Sequence, residues 1–195
     1  MAAPPATHAT EHRAHARADE EDRPVHLNVT LDLPADPPTA MRMLADPSFV
    51  HAKVRATGAL DQQVDVVNGE NGAFTVTTRR SLPTDQIPAN LRAFVGSSLH
   101  VRQVEAWDTP RPDGGRRGTV VVEITGAPVR LTGTMVLAAH GAASTLTYDG
   151  DLKAGIPLFA GAVESAAAAA IRDALSVEGV VAARWLEDHG TGGEA

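Results

Sequence analysis

A stripe of apolar side chains at helical spacing runs through the carboxy-terminal part of the chain. Its members recur at steps of three or four residues between positions 158 and 188; they are Phe159, Val163, Ala166, Ala170, Ala174, Val177, Val181 and Trp185. Such spacing places one apolar face along a helix, whereas charged residues such as Glu164 and Arg172 fall largely off that face. The segment predicts one long amphipathic helix, which needs an apolar surface to pack against.

The stretches before this helix have the pattern of strands. Every second residue from Val25 to Leu33 is apolar, and alternation over such a run indicates a half-buried strand. Six further strands are predicted between short turns, at 60–67, 73–82, 99–107, 119–125, 129–138 and 144–153. Because only turns separate most of them, we expect an antiparallel sheet.

Short helical segments interrupt this series of strands. Two helices are predicted after the first strand, at 39–45 and 47–56, and Asp46 precedes Pro47 as a candidate N-cap. A helical turn is predicted at 89–95, between the third and fourth strands. The sheet can bury its apolar face only by curling around the carboxy-terminal helix, so the order of elements predicts an α+β fold of the helix-grip type.

The ends of the chain differ in composition from its middle. Residues 1–24 contain no leucine, isoleucine, valine or aromatic residue, so that segment cannot bury enough apolar surface to offset the entropy of ordering it. Residues 189–195 have a similar character. We expect two disordered tails around one domain at 25–188.

Composition and charge narrow the classes of function. The 195-residue chain has 17 basic and 24 acidic residues and a formal net charge of −7, which argues against nucleic-acid binding. The chain has no cysteine, and it shows no metal-binding, nucleotide-binding or serine-nucleophile motif. We therefore expect no metal, no cofactor and no assigned catalytic residue. No apolar run is long enough to span a membrane and the amino terminus lacks a secretory signal, so we expect a cytoplasmic protein.

Two polar residues share the inward face of the fourth strand with apolar ones. Gln103 and Glu105 have the same parity as Val101 and Trp107. A buried carboxylate is costly unless it is paired or protonated, and Arg80 of the third strand is a candidate partner. One interpretation is a polar anchor inside an apolar pocket. The other is a structural ion pair near the cavity mouth, or a bulge that turns Glu105 outward.

Tyr148 has inward parity on the seventh strand and could donate a hydrogen bond either to a ligand or to a backbone carbonyl. Aromatic and apolar residues with the same inward parity complete the set of candidate ligand contacts. The predicted ligand-binding residues are Glu105, Gln103, Arg80, Tyr148, Phe74, Trp107 and Met135.

Several short stretches together resemble an actinobacterial START-like (SRPBCC, helix-grip) family of unknown function. These stretches are Asp46-Pro47 with Phe49, RRSLPTD at 79–85, FVG at 94–96, EAW at 105–107, IPL at 156–158, Gly161, Glu164 and Trp185-Leu186. The resemblance covers about residues 25–188. It implies a curved seven-stranded antiparallel sheet around a long carboxy-terminal helix, with two short helices after the first strand, and it implies no particular reaction.

Three functions are compatible with these observations. The favoured one is binding of a hydrophobic small molecule, lipid- or polyketide-like, in a cavity between the sheet and the carboxy-terminal helix, with no assigned reaction. An alternative is a cyclase- or hydratase-type enzyme that uses Glu105 as general acid or base. The third is a partner-binding protein with a vestigial cavity.

Overall fold

Seven strands form one antiparallel sheet in the computed structural model, which describes residues 24–84, 92, 98–156 and 159–189. The strands are β1 (Val25–Leu33), β2 (Asp61–Asn68), β3 (Phe74–Pro83), β4 (Ser98–Trp107), β5 (Arg116–Thr125), β6 (Val129–His140) and β7 (Ala143–Ala154). Their order across the sheet is β1-β7-β6-β5-β4-β3-β2. Consecutive strands β1 and β2 therefore lie at opposite edges, and the chain between them crosses the whole width of the sheet.

Two short helices make that crossing, α1 (Pro37–Leu44) and α2 (Pro47–Ala56). Each begins at an aspartate cap: Asp36 accepts a hydrogen bond from the Thr39 amide at 2.7 Å, and Asp46 accepts one from the Ser48 amide at 2.7 Å. These bonds lower the pKa of both carboxyls. The predicted Asp46 cap is confirmed, whereas α1 begins two residues earlier than expected, because Asp36 caps it.

The long helix α3 (Ala160–His189) packs against β1, β7 and α2. The predicted helix-grip fold is thus confirmed, but the predicted phase of the helix is wrong. Its fully buried residues are Glu164, Ala168, Leu175, Glu178, Ala182 and Leu186, and all but Ala168 lie one position beyond a member of the expected stripe. One residue corresponds to a rotation of about 100°. Six of the eight members of the expected stripe are therefore only partly buried, while Phe159 and Ala170 are exposed.

Two carboxylates consequently face the sheet from α3. Glu164, which was expected to lie off the buried face, is 4% exposed. It accepts a hydrogen bond from the Ala154 amide at 2.7 Å, which ties the start of α3 to the end of β7. A buried carboxylate that binds a backbone amide avoids the full penalty of desolvation, so this contact is a structural bond. The second carboxylate, that of Glu178, belongs to the site described below.

Two glycines face each other across β6 and β7. Gly133 and Gly150 are directly paired. A Cβ on Gly150 would lie 2.6 Å from the Thr132 carbonyl oxygen and 2.8 Å from Gly133 Cα, so no larger residue fits without movement of the backbone. Gly150 also lines the cavity described below.

Several predictions lie outside the described residues: the helical turn at 89–95 apart from Arg92, nearly all of the amino-terminal tail and most of the carboxy-terminal one. The division into one domain at 25–188 with two disordered tails stays a prediction. In the part of the chain that the structure describes, none of the helices combines the length and the hydrophobicity of a membrane span.

Candidate functional site

A buried ion cluster lies where α2, β4 and α3 meet. Lys53 of α2 places its Nζ atom 3.0 Å from Oε1 of Glu105 and 3.1 Å from Oε1 of Glu178. The three residues are 6%, 2% and 6% exposed, respectively. Lysine and glutamate are almost never buried unless they are paired. Here one ammonium group forms ion pairs with two carboxylates.

Tyr148 extends the cluster on the helix side. Its hydroxyl donates a hydrogen bond to Glu178 Oε1 at 3.2 Å, so that oxygen accepts from both Tyr148 and Lys53. Tyr148 was expected to bond either a ligand or a backbone carbonyl. In the structure its partner is instead a carboxylate, because the phase of α3 brings Glu178 to the sheet.

Burial and charge shift the proton affinities of these groups in different directions. Burial raises the pKa of Glu178 above its ordinary value, although the charge of Lys53 opposes that shift. Burial lowers the pKa of Lys53, but the charges of Glu105 and Glu178 outweigh it, so the pKa of Lys53 is raised. Burial and the charge of Glu178 raise the pKa of Tyr148 well above its usual range. The cluster therefore holds a charged lysine and a neutral tyrosine at neutral pH.

Gln103 connects this cluster to Arg80. Its Nε2 donates to Glu105 Oε1 at 2.6 Å, and its Oε1 accepts from both terminal nitrogens of Arg80 at 3.2 Å. Arg80 also donates to Thr78 Oγ1 at 3.2 Å. The expected direct pair of Arg80 with Glu105 is wrong, because Gln103 lies between them and Lys53 supplies the cation. Burial lowers the pKa of Arg80.

A cavity of about 70 Å³ lies between the sheet and α3. Apolar side chains form much of its wall, among them Leu27, Val122, Leu131, Ile171 and Leu175. Its polar side chains include Lys53, Arg80, Gln103, Tyr148 and Glu178. Glu105 is not among the lining residues; its carboxylate lies behind Lys53 and Gln103. The cavity is thus apolar along its wall and polar in one region, but it is small compared with pockets of about 300–1,000 Å³ that hold drug-sized ligands.

Two buried polar atoms in this region have no hydrogen-bond partner among the described residues. They are Nε of Arg80 and Oε1 of Gln62. Arg80 and Gln62 are directly paired in the register of β3 and β2, so their side chains emerge on the same face. Unpartnered buried polar atoms are uncommon in folded proteins and each calls for a physical explanation.

The other three predicted contacts lie elsewhere in the core. Phe74 and Trp107 stack with their ring centroids 6.2 Å apart, and Met135 is fully buried. None of the three lines the cavity described above. Glu105, Gln103, Arg80 and Tyr148 are brought together by the fold, and for all seven residues a role in ligand binding stays a prediction.

Lys53 and Glu178 were missed by the sequence analysis, although both had a detectable signal. Lys53 follows Phe49 by four residues on α2, and these two residues share a buried face with Val50 and Val54. Glu178 lies three residues after Leu175 on α3. In each case a charged residue occupies an apolar periodic position, which is the pattern of a buried polar group.

Metal binding has no support in the described part of the chain, where no group of three or more histidine, aspartate or glutamate side chains could hold an ion. The chemistry that the cluster offers is that of hydrogen bonding and proton transfer. Glu178 and Tyr148 present a carboxyl and a hydroxyl to the cavity, and Arg80 presents a guanidinium.

Solved structures with the same fold come from several bacteria. The protein TTHA0849 from Thermus thermophilus aligns with a TM-score of 0.59 and 14% identity, covering 86% of this chain and 100% of that one. The Zhui aromatase/cyclase from Streptomyces sp. R1128 aligns with a TM-score of 0.51 and 12% identity, covering 87% and 99%. A STAR-related lipid transfer protein fragment from Xanthomonas axonopodis aligns with a TM-score of 0.53 and 12% identity, covering 83% and 85%. At such identities the likeness shows a shared fold.

No curated protein matches the chain at a significant level. A family model, by contrast, covers almost the whole sheet and most of α3. It is described as "Protein of unknown function (DUF2505)" and matches residues 28–186. Because this match covers well over half of the sequence, the chain belongs to the DUF2505 family.

Proposed function

We propose that the protein binds a hydrophobic small molecule, lipid- or polyketide-like, in the cavity between the sheet and α3. The observation that carries the proposal is the division of the cavity into an apolar wall and one polar region that includes Arg80, Tyr148 and Glu178. Small-molecule sites have this layout, in which apolar surface supplies affinity and a few polar groups set orientation. Two proteins of the same fold are named an aromatase/cyclase and a lipid transfer protein, which is in keeping with the proposal.

The volume of the cavity limits how such a molecule is held. About 70 Å³ accommodates the polar end of a ligand and a few carbon atoms, whereas a complete lipid needs several times more space. The ligand therefore inserts its polar end, and the rest of the molecule either remains outside the cavity or displaces side chains of α2 and α3. Half-buried residues such as Ile171 and Ala174 are the ones that a longer ligand would contact.

Filling the cavity tests this proposal. Ala174 lines the cavity on α3, so Ala174→Leu reduces the space while keeping a good helix former. We expect a fluorescent fatty-alcohol probe to bind the wild-type protein saturably and the variant at least tenfold more weakly, since a lost contact or a steric clash of about 1.4 kcal/mol or more gives that ratio. Ala170→Leu is the matched control, because Ala170 is exposed on the same helix.

The outcome of the titration decides the proposal. Saturable binding that Ala174→Leu weakens and Ala170→Leu leaves unchanged supports a ligand site between the sheet and α3. Equal binding by both variants would place the probe elsewhere on the protein. Absence of saturable binding to the wild-type chain would contradict the proposal.

An acid–base enzyme is a second candidate, for which Glu178 is better placed than Glu105. Glu178 lines the cavity with Tyr148, whereas Glu105 does not. Burial also raises the pKa of Glu178, which moves a carboxyl toward the range in which it can act as a general acid. If a cyclase or hydratase substrate is found, Glu178→Gln is expected to reduce kcat, and a variant with unchanged kcat would remove Glu178 from the reaction.

A further inference from the structure

Arg80, which lines the cavity, and Gln62, its partner in the register of β3 and β2, each carry one unfilled hydrogen-bonding group. The terminal nitrogens of Arg80 are already engaged by Gln103 and Thr78. Its Nε–H remains as a buried donor without a partner among the described residues, and Gln62 Oε1 remains as a buried acceptor without one. One donor and one acceptor thus emerge side by side on the inner face of β3 and β2.

The charges around Arg80 determine whether a charged or a neutral ligand group fits beside it. Arg80 forms no ion pair with any carboxylate of the described residues, yet Glu105 and Glu178 are close enough to act on its charge. With Lys53 the cluster contains two cationic and two acidic side chains, which is electrically balanced when both carboxyls are ionised. An additional anion at Arg80 would therefore meet a guanidinium whose charge the two glutamates already partly offset, and it would gain less than at an unpaired arginine.

A neutral hydroxyl group matches both unfilled groups at once. Its oxygen accepts a hydrogen bond from Arg80 Nε–H, and its hydrogen is donated to Gln62 Oε1. A carboxylate has acceptors only, so it can pair with Gln62 only if the amide rotates to present Nε2 in place of Oε1. A hydrocarbon satisfies neither atom, and unsatisfied buried groups weaken binding.

We propose that the ligand presents a neutral hydroxyl, of an alcohol or a phenol, to Arg80 Nε and Gln62 Oε1, and that the protein selects such a ligand over the corresponding carboxylate and hydrocarbon. This inference rests on the proposed function, because it assigns the polar end of the molecule that the cavity holds. It makes Gln62 and Arg80 residues that set specificity.

The test compares phenol, benzoate and benzene, three single-ring probes that differ in the group offered to the pair. Each is titrated at neutral pH into ¹⁵N-labelled full-length protein, and the Arg80 Nε–Hε resonance is followed. We expect phenol to shift this resonance saturably. We also expect phenol to bind about tenfold or more tightly than the other two probes, because only phenol satisfies both the donor and the acceptor.

The opposite face of the same two strands supplies matched control variants. Gln63 and Arg79 are also directly paired, but both are exposed. Gln62→Leu and Arg80→Met are expected to abolish the preference for phenol, whereas Gln63→Leu and Arg79→Met leave it intact. Gln62→Leu serves as the more conservative variant, since it removes a partly exposed neutral side chain and leaves the Arg80–Gln103 bonds in place.

Three further outcomes separate this inference from the proposed function. If benzene and phenol bind equally and Gln62→Leu has no effect, a water molecule fills the pair and the selection of a hydroxyl is overturned, while the ligand site stands. If benzoate binds most tightly and loses affinity in Arg80→Met, Arg80 binds an anion and the hydroxyl assignment is equally overturned. If none of the three rings binds, the hydroxyl assignment is overturned, and the proposed function falls with it only if the fatty-alcohol probe does not bind either.

Discussion

Lys53 Nζ lies 3.0 Å from Glu105 Oε1 and 3.1 Å from Glu178 Oε1, so a single buried ammonium joins α2 both to the sheet and to α3. Salt bridges of this kind contribute little net stability compared with a well-packed apolar substitute, but removing one partner leaves buried charge without compensation. The contact therefore holds three elements in register around the cavity at the same time as it places Glu178 on the cavity wall.

Removal of the lysine charge is expected to destabilise the fold strongly. Lys53→Met leaves Glu105 and Glu178 buried without a cation, and we expect the free energy of unfolding to fall by about 3–5 kcal/mol. Urea denaturation monitored by circular dichroism measures it. Lys153 is the other lysine of the chain and is exposed on β7, so Lys153→Met should change the stability by no more than about 1 kcal/mol. Equal effects of the two substitutions would show that the buried cluster does not brace the fold.

The titration of Glu178 is expected to make stability depend on pH. Burial, opposed by Lys53, raises the pKa of Glu178 above its ordinary value of 4.5, so the folded state holds a proton that the unfolded state has already released. Stability from this group is fully present below the ordinary pKa and is lost as pH rises through the folded-state pKa. Relative to Glu178→Gln, the wild-type protein should therefore lose free energy of unfolding as pH rises above 4.5.

Denaturation of both proteins at a series of pH values checks this prediction. The informative quantity is the difference in unfolding free energy between wild type and Glu178→Gln, because titration of the groups that lie away from Glu178 cancels in it. A difference that is independent of pH, or that grows in favour of the wild type with rising pH, would contradict a raised pKa for Glu178.

The close approach of β6 and β7 predicts a strong effect at Gly150. A Cβ at this position would lie 2.6 Å from the Thr132 carbonyl oxygen, and the backbone there has no freedom to move without breaking the β6–β7 pairing. We expect Gly150→Ala to lower the free energy of unfolding by about 3 kcal/mol. At Gly161 in α3 a Cβ would meet nothing within 4 Å, so Gly161→Ala should stabilise the protein by about 0.5–1 kcal/mol. Thermal unfolding of the two variants shows whether each substitution stabilises or destabilises the protein. An unchanged stability of Gly150→Ala would mean that β6 and β7 can accommodate a Cβ at this pair.

The contact between Glu164 and the end of β7 is expected to protect one backbone amide. Glu164 accepts from the Ala154 N–H at 2.7 Å, and Glu164→Ala leaves that buried donor without its partner. We expect a loss of about 1–3 kcal/mol and faster hydrogen exchange at Ala154. Glu187→Ala, an exposed change on the same helix, provides the comparison. Unchanged exchange at Ala154 in the Glu164 variant would show that another group satisfies the amide.

Much of the fold was predictable because strand alternation is unambiguous in this chain. The parity of Arg80, Gln103 and Glu105 placed all three on the inner face, where the structure has them. Parity does not reveal which polar groups touch, however, and the insertion of Gln103 between Arg80 and Glu105 depends on the stagger of β3 and β4. Alternation determines which face of the sheet a side chain lies on. It does not determine which side chains of the neighbouring strands and helices that side chain contacts.

The phase of α3 could not be predicted with the same certainty. Residues 166–170 are all alanine, and a helix with so little contrast between its faces has no well-defined apolar direction. The expected stripe passed over Glu164 and Glu178 because they are charged. Their burial became possible only through partners that come from other elements of the fold, the Ala154 amide for Glu164 and Lys53 with Tyr148 for Glu178.

Native mass spectrometry of gently purified protein tests the central claim, that the space between the sheet and α3 holds a small organic molecule. The account predicts a species heavier than the chain by the mass of an organic compound, retained in Ala170→Leu and lost in Ala174→Leu. A wild-type protein that carries no such compound and takes up none from a mixture of hydroxylated amphiphiles would contradict it.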